Sequence, residues 1–201
     1  MPVPKELFFT IDPEKRSRIM EAAIHEFSSQ MYDKASINQI IKEADISRGS
    51  FYQYFENKDD LYFFSIKTLL QATAYRFLKQ FIAAQPEDIY AVYRALFAYN
   101  LQLLSGGEYK DFFRNMYFGM NYRLQQELKT IFSSIRNEML ENRLDALRRK
   151  SGYAVSYFQE LMNILELNNR DLLMVYISKS PAIEDIMEIY DLRIQVIRTA
   201  Q

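Results

Sequence analysis

The chain of 201 residues carries 25 Lys and Arg against 26 Asp and Glu, a formal net charge of −1, so any nucleic-acid binding must come from a local site. Its 49% hydrophobic content is enough to build packed cores and excludes a disordered chain. There is no cysteine, long apolar run or secretory leader, so we expect a cytoplasmic protein without disulfides or a membrane span.

The first predicted helix runs from Pro13 to about Gln30. Asp12 stands at its N-cap, and proline is favoured at the first helical position. Apolar residues on one side can pack over the elements that follow: Ile19, Ala23 and Phe27. This helix also contains the chain's one histidine, His25, which we expect to lie at the surface or to cap a helix.

A short amphipathic helix is predicted next, over residues 37–44, with Ser36 as its N-cap. Its apolar residues follow helical spacing: Ile37, Ile40, Ile41 and Ala44. The next three residues, 45–47, break this pattern. Asp45 can enter the left-handed conformation, Ile46 can fill the angle between two helices, and Ser47 can cap the next helix, so we predict a tight turn.

A second short helix is predicted from Arg48 to Phe55. At 100° per residue, Phe51 and Phe55 point to one side of this helix. Gly49, Ser50 and Gln53 point to the opposite side. Arg48 and Tyr52 lie at one edge between the two sides. Tyr54 lies between the two sides, so packing and polar contact both remain open for it.

The outward residues of this helix suit a DNA groove. Gln53 can bond a base edge through two hydrogen bonds, Arg48 can contact guanine or phosphate, and Ser50 can contact either. Gly49 lets the backbone approach closely, and Tyr52 suits a phosphate. The alternative for these residues, as for Lys58, is a solvated helix face.

The next helix is predicted to begin near Lys58. Free backbone N–H groups at its start, together with the Lys58 ammonium, can hold a further phosphate. Residues 36–58 therefore have the pattern of a helix-turn-helix that presents its second helix to DNA.

The segment SINQIIKEADISRGSFYQYFENKDDL resembles the DNA-binding signature of the tetracycline-repressor (TetR) family of bacterial transcription regulators. The similarity covers about residues 12–61. Residues at positions typical of that family are Ala44, Ile46, Ser47, Gly49, Ser50, Phe51, Tyr52, Phe55, Lys58 and Leu61. Asp45 departs from the glycine usual there, and its charge should slightly disfavour a nearby phosphate. The resemblance favours DNA contact over a solvated face for Arg48, Ser50, Tyr52, Gln53 and Lys58. The other candidate DNA-binding residues are Ser36, Ser47, Gly49 and Tyr54, of which Tyr54 stays open.

The charge of this region opposes a DNA-binding role. Residues 1–60 carry eight basic and eleven acidic side chains, whereas a DNA-binding domain is expected to have a basic stripe. Because few phosphate contacts mean weak single-site binding, we expect a dimer that engages two half-sites.

The rest of the chain is predicted to be all-α. Long helices are expected near 58–84, 86–104, 108–118, 122–150, 153–178 and 182–199, since glycine and proline are sparse and no alternating apolar runs occur. We therefore predict a three-helix helix-turn-helix head, residues 1–57, followed by a helical bundle body, residues 58–201, for ligand binding and dimerisation.

The body is rich in aromatic and methionine side chains. At helical spacing such residues usually form plain core, but they can also line a cavity for an apolar or aromatic ligand. The resemblance implies an effector pocket, and the candidates for it are Tyr93, Phe97, Phe113, Met116, Tyr117 and Met120.

The last two helices carry apolar stripes wide enough for both the body and a partner. In relatives of the TetR family, these helices form a four-helix dimer interface, and a pseudo-palindromic operator requires such a symmetric dimer. We therefore expect a homodimer.

The predicted function is a DNA-binding transcriptional regulator, a repressor released from its operator by a small apolar or aromatic effector. The alternative, favoured by the acidic head, is a helical protein-interaction module that does not bind DNA. An enzyme is not expected, because the chain has one histidine, no cysteine, no Gly-rich phosphate loop and no metal-ligand spacing; no cofactor or metal is predicted.

Overall fold

A computed structural model of the chain describes residues 4–84, 86–119 and 121–199 and, within these ranges, all side chains except those at 74–76, 78–84, 123 and 136–139. Every regular element among the described residues is a helix, which confirms the all-α class. None of the helices in these ranges is both long and apolar enough to span a membrane. The helices are α1 (Glu6–Thr10), α2 (Pro13–Ser29), α3 (Ile37–Glu43), α4 (Arg48–Tyr54), α5 (Lys58–Ala84), α6 (Ile89–Ser105), α7 (Lys110–Phe118), α8 (Tyr122–Ser151), α9 (Val155–Lys179) and α10 (Ile183–Thr199).

The chain forms two compact units. The first comprises Met1–Tyr75 and Glu108–Ile135, and the second comprises Arg76–Gly107 and Arg136–Gln201. Helices α5 and α8 therefore contribute residues to both units. The functional division expected at residue 58 stays a prediction.

Helix α2 begins as the sequence predicts. The Asp12 carboxylate accepts the N–H of Lys15 at 3.0 Å, and Pro13 occupies the first turn. The predicted apolar side of the helix is almost completely buried: Ile19, Ala23 and Phe27. Helix α2 therefore supplies one wall of the core of the first unit.

Helices α3 and α4 are joined by the predicted tight turn. Asp45 adopts a φ of 51°, the left-handed conformation that Asp enters at modest cost. Ile40 of α3 and Phe51 of α4 are fully buried. Three apolar residues of α3 and the turn are only half-buried: Ile37, Ile41 and Ile46.

Helix α1 was not predicted. Its Phe8 is fully buried and contacts the rings of Phe55 and Phe64, with centroids 4.8 and 5.7 Å apart. A helix of five residues has too few turns to show helical periodicity in the sequence, and this packing is what holds α1 in place.

Helices α2, α5 and α7 share an aromatic core in the first unit. The ring centroid of Tyr62 in α5 lies 4.8 Å from that of Phe27 in α2 and 6.4 Å from that of Phe112 in α7. The amide of Asn115 in α7 donates to the main-chain carbonyls of Phe27 and Ser28. Helix α7 is therefore fixed to the end of α2 by both packing and hydrogen bonds.

In the second unit, α6 packs against α9 and α10. Phe97 of α6 stacks on Tyr190 of α10 with ring centroids 4.6 Å apart. Arg94 of α6 donates two hydrogen bonds, of 2.7 and 2.8 Å, to the Asp191 carboxylate of α10. Hydrogen bonding to this guanidinium lowers the pKa of Asp191 below its ordinary value. Helices α6 and α10 are thus joined by an apolar stack and a bidentate ion pair.

Candidate nucleic-acid interface

A side-chain cap determines where α4 begins. The Ser47 hydroxyl accepts the N–H of Ser50 at 3.0 Å, and the two hydroxyl oxygens lie 2.9 Å apart. Ser47 is therefore the N-cap that the sequence predicts, and it satisfies one of the N–H groups that a helix start leaves unpaired.

The face of α4 opposite the core is exposed. It presents Arg48, Gly49, Tyr52 and Gln53, and 41% of the Tyr52 surface is accessible. A Cβ added at Gly49 would meet only the Ser47 hydroxyl, at 3.7 Å, so packing does not require glycine there. The open space suits close approach of another molecule's backbone. Ser50 is half-buried beside its capping partner.

Arg48 is held across the two short helices. Its Nη1 donates to the Asn38 side chain in α3 at 3.1 Å, and its guanidinium carbon lies 5.9 Å from the centre of the Tyr52 ring. Asn38 is exposed and was not predicted as a site residue. Its position outside the apolar stripe of α3 is the signal that could have identified it.

Tyr54 is buried, with 4% of its surface accessible. The helix phase left both packing and polar contact open for this residue, and in the structure it packs. Its ring lies 6.1 Å from that of Phe8 and 5.5 Å from the Lys15 ammonium. The cause is α1, which covers this side of α4. Tyr54 therefore does not belong to the exposed face.

Ser36 occupies the N-cap position of α3, but its side chain makes no capping bond. Instead, its N–H donates to the Glu26 carboxylate of α2 at 2.7 Å. The predicted capping hydrogen bond from the Ser36 side chain is therefore wrong, because a carboxylate from α2 fixes the start of α3 instead.

Lys58 points into the protein. Its ammonium donates to the carbonyls of Tyr32 and Ala35 at 2.6 and 2.9 Å and lies 4.5 Å from the centre of the Tyr32 ring. Partial burial lowers the pKa of Lys58 below its ordinary value. The Asn57 side chain accepts the backbone N–H groups of Asp59 and Asp60, at 2.8 and 3.3 Å. The phosphate contact predicted here would have to compete with these internal bonds.

Many acidic side chains among residues 1–60 have internal partners. Some of these carboxylates accept a backbone N–H group or a hydroxyl, and others pair with His25 or Lys5. The acids with such partners are Asp12, Glu21, Glu26, Glu43, Glu56, Asp59 and Asp60. The negative charge is therefore used within the fold rather than concentrated on the outer face of α4.

The candidate ligand residues fall in different places. Phe113, Met116 and Tyr117 are buried in α7 of the first unit, Tyr93 and Phe97 are buried in α6 of the second, and Met120 lies outside the described residues. Within the second unit, the Tyr93 hydroxyl donates to Glu166 at 3.1 Å and its carbonyl accepts the Asn169 amide at 3.2 Å. These contacts make Tyr93 and Phe97 part of a packed core.

A cavity of about 370 Å³ opens elsewhere in the second unit, between the starts of α6 and α9 and the ends of α8 and α10. Its lining combines apolar and aromatic residues with two bases, two acids and a serine: Ile89, Tyr90, Leu147, Tyr153, Phe158, Lys150, Arg198, Glu87, Asp88 and Ser151. Arg198 pairs with Asp88 at 2.6 Å and lies over the Tyr90 ring. Lys150 makes a weaker contact of 3.4 Å with the Glu87 carbonyl. Sequence reasoning did not identify these residues.

A capped helix of seven residues, presented by a tight turn with a polar outer face, defines a helix-turn-helix DNA-binding protein. Residues 19–63 match the family described as bacterial regulatory proteins, tetR family, and residues 88–199 match the tetracyclin repressor-like C-terminal domain. The chain belongs to the TetR family and is a DNA-binding transcriptional regulator. The family consists of regulators rather than enzymes, in agreement with the expectation from sequence.

The chain is similar to several regulators. The HTH-type transcriptional regulator HbdR of Aromatoleum sp. (strain CIB) is 46% identical over 57 residues, which are 28% of this chain and 25% of that protein. YuxN of Bacillus subtilis (strain 168), an uncharacterised HTH-type transcriptional regulator, is 27% identical over 154 residues, 76% of this chain and 52% of that protein. The chain thus spans between a quarter and about half of these relatives' length.

Solved structures share the fold. A putative transcriptional regulator of Pseudomonas aeruginosa PAO1 gives a TM-score of 0.65 at 17% identity, covering 96% of this chain and 94% of that one. A TetR family regulator of Chloroflexus aurantiacus gives 0.51 at 21% identity, with 98% of each chain covered. At such identities the likeness concerns the fold alone.

Proposed function

We propose that the chain is a repressor whose dimer places two α4 helices in successive major grooves of a pseudo-palindromic operator, about 34–36 Å apart or a multiple of that distance. The observation that carries this proposal is the exposed polar face of a helix anchored by the Ser47 cap and the buried Phe51. The cytoplasm, where a bacterial regulator meets its DNA, is the proposed location.

The proposed contacts with DNA bases and phosphates are made by exposed residues of α4. Gln53 is proposed to bond a base edge, Tyr52 a phosphate, and Arg48 a guanine or phosphate, with Asn38 orienting the Arg48 guanidinium. Ser47, Gly49 and Ser50 shape the approach of the helix. Ser36, Tyr54 and Lys58 support the two helices from within the head, as their burial and internal hydrogen bonds favour.

Exposed apolar side chains support a homodimer through α9 and α10. They include Ile164, Leu167 and Met174 on α9 and Ile189, Leu192 and Val196 on α10, at helical spacing on each. Other apolar residues of the same helices, such as Leu165 and Tyr190, are fully buried, and Tyr190 stacks on Phe97 of α6. A face left exposed while another face packs is what an isologous interface uses.

The cavity of the second unit is the proposed effector site. Its volume of about 370 Å³ lies within the range of sites for small molecules. Tyr90, Phe158 and Leu147 offer apolar surface, while the two bases of the lining, Lys150 and Arg198, are matched by two acids, Glu87 and Asp88. The proposed effector is therefore a small aromatic or apolar molecule.

We propose that the effector acts by favouring a dimer state in which the heads have the wrong spacing. Helix α5 is continuous from Lys58 to Ala84 and contributes to both units, so its rotation can displace the head. The bonds from Asn115 of α7 to the end of α2 lie within the first unit and hold α7 to the head. A ligand shifts this equilibrium only through different affinities for the two states.

A gel-shift experiment tests the proposed function. DNA from upstream of the chain's own gene should be retained at physiological salt, whereas a scrambled duplex of equal length should be retained only at low salt. Retention of neither duplex at any salt would support the interaction module instead. Footprinting on the retained DNA would define the operator duplex.

A further inference from the structure

The C-terminal end of α4 leaves main-chain carbonyls without helical partners, as every helix does. In α4 this matters more than usual, because seven residues form fewer than two turns. The N–H of Phe55 bonds to Phe51 and closes the last helical bond. The carbonyls of Tyr52 and Tyr54 follow it and need donors from elsewhere.

Both donors come from one residue, Lys5, which lies 47 positions before Tyr52. The Lys5 ammonium donates to the Tyr52 carbonyl at 2.9 Å, and the Lys5 N–H donates to the Tyr54 carbonyl at 2.8 Å. The ammonium also pairs with Glu56 at 3.0 Å. A cation at a helix C-terminus additionally stabilises the helix dipole.

Helix α1 follows Lys5 directly and keeps it in place. Phe8 is fully buried, and its ring packs on those of Tyr54 and Phe55, at 6.1 and 4.8 Å. The segment therefore grips the end of α4 through one buried ring and two hydrogen bonds. It lies outside residues 19–63, the part of the chain that matches the family's DNA-binding model.

We propose that Lys5 is a positioning residue for DNA recognition: with α1, it clamps the C-terminal end of α4 and sets the angle at which Tyr52 and Gln53 meet the operator. This inference rests on the proposed reading role of α4. The clamp orders α4 before binding, so the free energy of operator binding is not reduced by the entropy cost of ordering this helix.

Lys5→Pro is the sharpest test. The φ of Lys5 is −67°, which proline adopts without strain, so this variant removes both donors and leaves the backbone path unchanged. Lys5→Met removes only the ammonium, and Lys5→Arg retains a charged donor. Lys129→Met, at an exposed position of α8, is the control for the loss of one positive charge.

The clamp predicts that operator affinity falls roughly three- to tenfold in Lys5→Met, falls further in Lys5→Pro and is largely retained in Lys5→Arg. The salt dependence should stay unchanged, since no cationic contact with a phosphate is lost, and affinity for scrambled DNA should fall less than affinity for the operator. Amide exchange of Tyr54 and Phe55 should accelerate in Lys5→Pro, while that of the buried part of α2 should not.

Other results would overturn the clamp. Equal losses on operator and scrambled DNA, with a salt slope reduced by about one, would make Lys5 a phosphate contact. Unchanged operator affinity or unchanged exchange in Lys5→Pro would show that α4 does not depend on Lys5. A wild-type protein that does not discriminate the operator would instead refute the proposed function, and the exchange measurement separates that failure from a failure of the clamp.

Discussion

Asn115 of α7 donates a hydrogen bond of 2.7 Å to the main-chain carbonyl of Ser28, near the end of α2. The same amide lies 3.2 Å from the Phe27 carbonyl. Helix α2 belongs to the part of the chain that matches the family's DNA-binding region, whereas α7 lies in the part that matches its C-terminal domain. One side chain thus joins the two sequence regions within a single compact unit.

Replacing Asn115 with Ala should lower the free energy of unfolding of the first unit by about 1–2 kcal/mol, because it leaves two helix-end carbonyls without their donor. Thermal unfolding followed by circular dichroism measures this change. Asn163→Ala is the control, since that amide bonds only to side chains of its own helix, and it should cost less than about 0.5 kcal/mol. Equal losses in the two variants would contradict a special role for Asn115.

Asp45 combines a left-handed backbone with a negative charge beside the recognition helix. Asp45→Asn should keep the turn, because Asn enters this conformation as readily, and should raise affinity for any DNA about two- to threefold at low salt. Asp45→Val should destabilise the fold by about 1–2 kcal/mol, because a β-branched residue is strained there. Fluorescence anisotropy and thermal unfolding test both variants. Weaker binding by Asp45→Asn would mean that the carboxylate itself contacts a base.

The His25 ring links α2 to α3. Its Nδ1 lies 2.9 Å from both Glu43 carboxylate oxygens, and this hydrogen bond, with the negative charge, raises the pKa of His25 above 6.5. The pair therefore adds stability that is fully present below pH 6.5 and lost as the pH rises through the folded pKa. Because the pair is exposed, its contribution to stability is small.

Nuclear magnetic resonance can measure this pKa directly, because the tag-free chain has one imidazole. The titration midpoint should lie above 6.5 in the wild type and fall in Glu43→Gln. In Glu21→Gln, which removes a carboxylate bonded to Ser17 rather than to His25, the midpoint should stay above that of Glu43→Gln. A wild-type midpoint at or below 6.5 would show that the pair does not form in solution.

Leu192 is an exposed apolar residue of α10, with 62% of its surface accessible. If α9 and α10 form the dimer interface, Leu192→Glu places a charge in that interface and should raise the dissociation constant of the dimer more than tenfold. Sedimentation velocity measures the association state. Tyr122→Glu, at a position 77% exposed on α8, should remain dimeric, and a dimeric Leu192→Glu would exclude this interface.

Local sequence signals predicted much of the fold. Asp12 and Ser47 cap their helices as expected, Asp45 makes the left-handed turn, and the helix bounds agree to within a few residues. These features depend on residues three or four positions apart, which a single sequence displays directly. The exposed face of α4 followed from the same periodicity.

The features that the sequence did not reveal depend on contacts between distant residues. Tyr54 is buried because α1 covers it, and α1 itself was too short to predict. Lys58 turns toward the carbonyls of Tyr32 and Ala35, more than 20 positions away, and no pattern around Lys58 reveals these partners. The cavity beside Lys150 likewise brings together the ends of four helices, which only the tertiary structure makes neighbours.

The central claim is that the outer face of α4 reads DNA, and the affinity of Gln53→Ala for the operator duplex tests it most directly. We predict a loss of about 5- to 100-fold relative to the wild type, with a smaller loss for Tyr52→Phe and none for Gln126→Ala on α8. The dimer and the unfolding midpoint should be unchanged in all three. Operator affinity that is unaltered in both Gln53→Ala and Tyr52→Phe would contradict the assignment of α4 as the recognition helix.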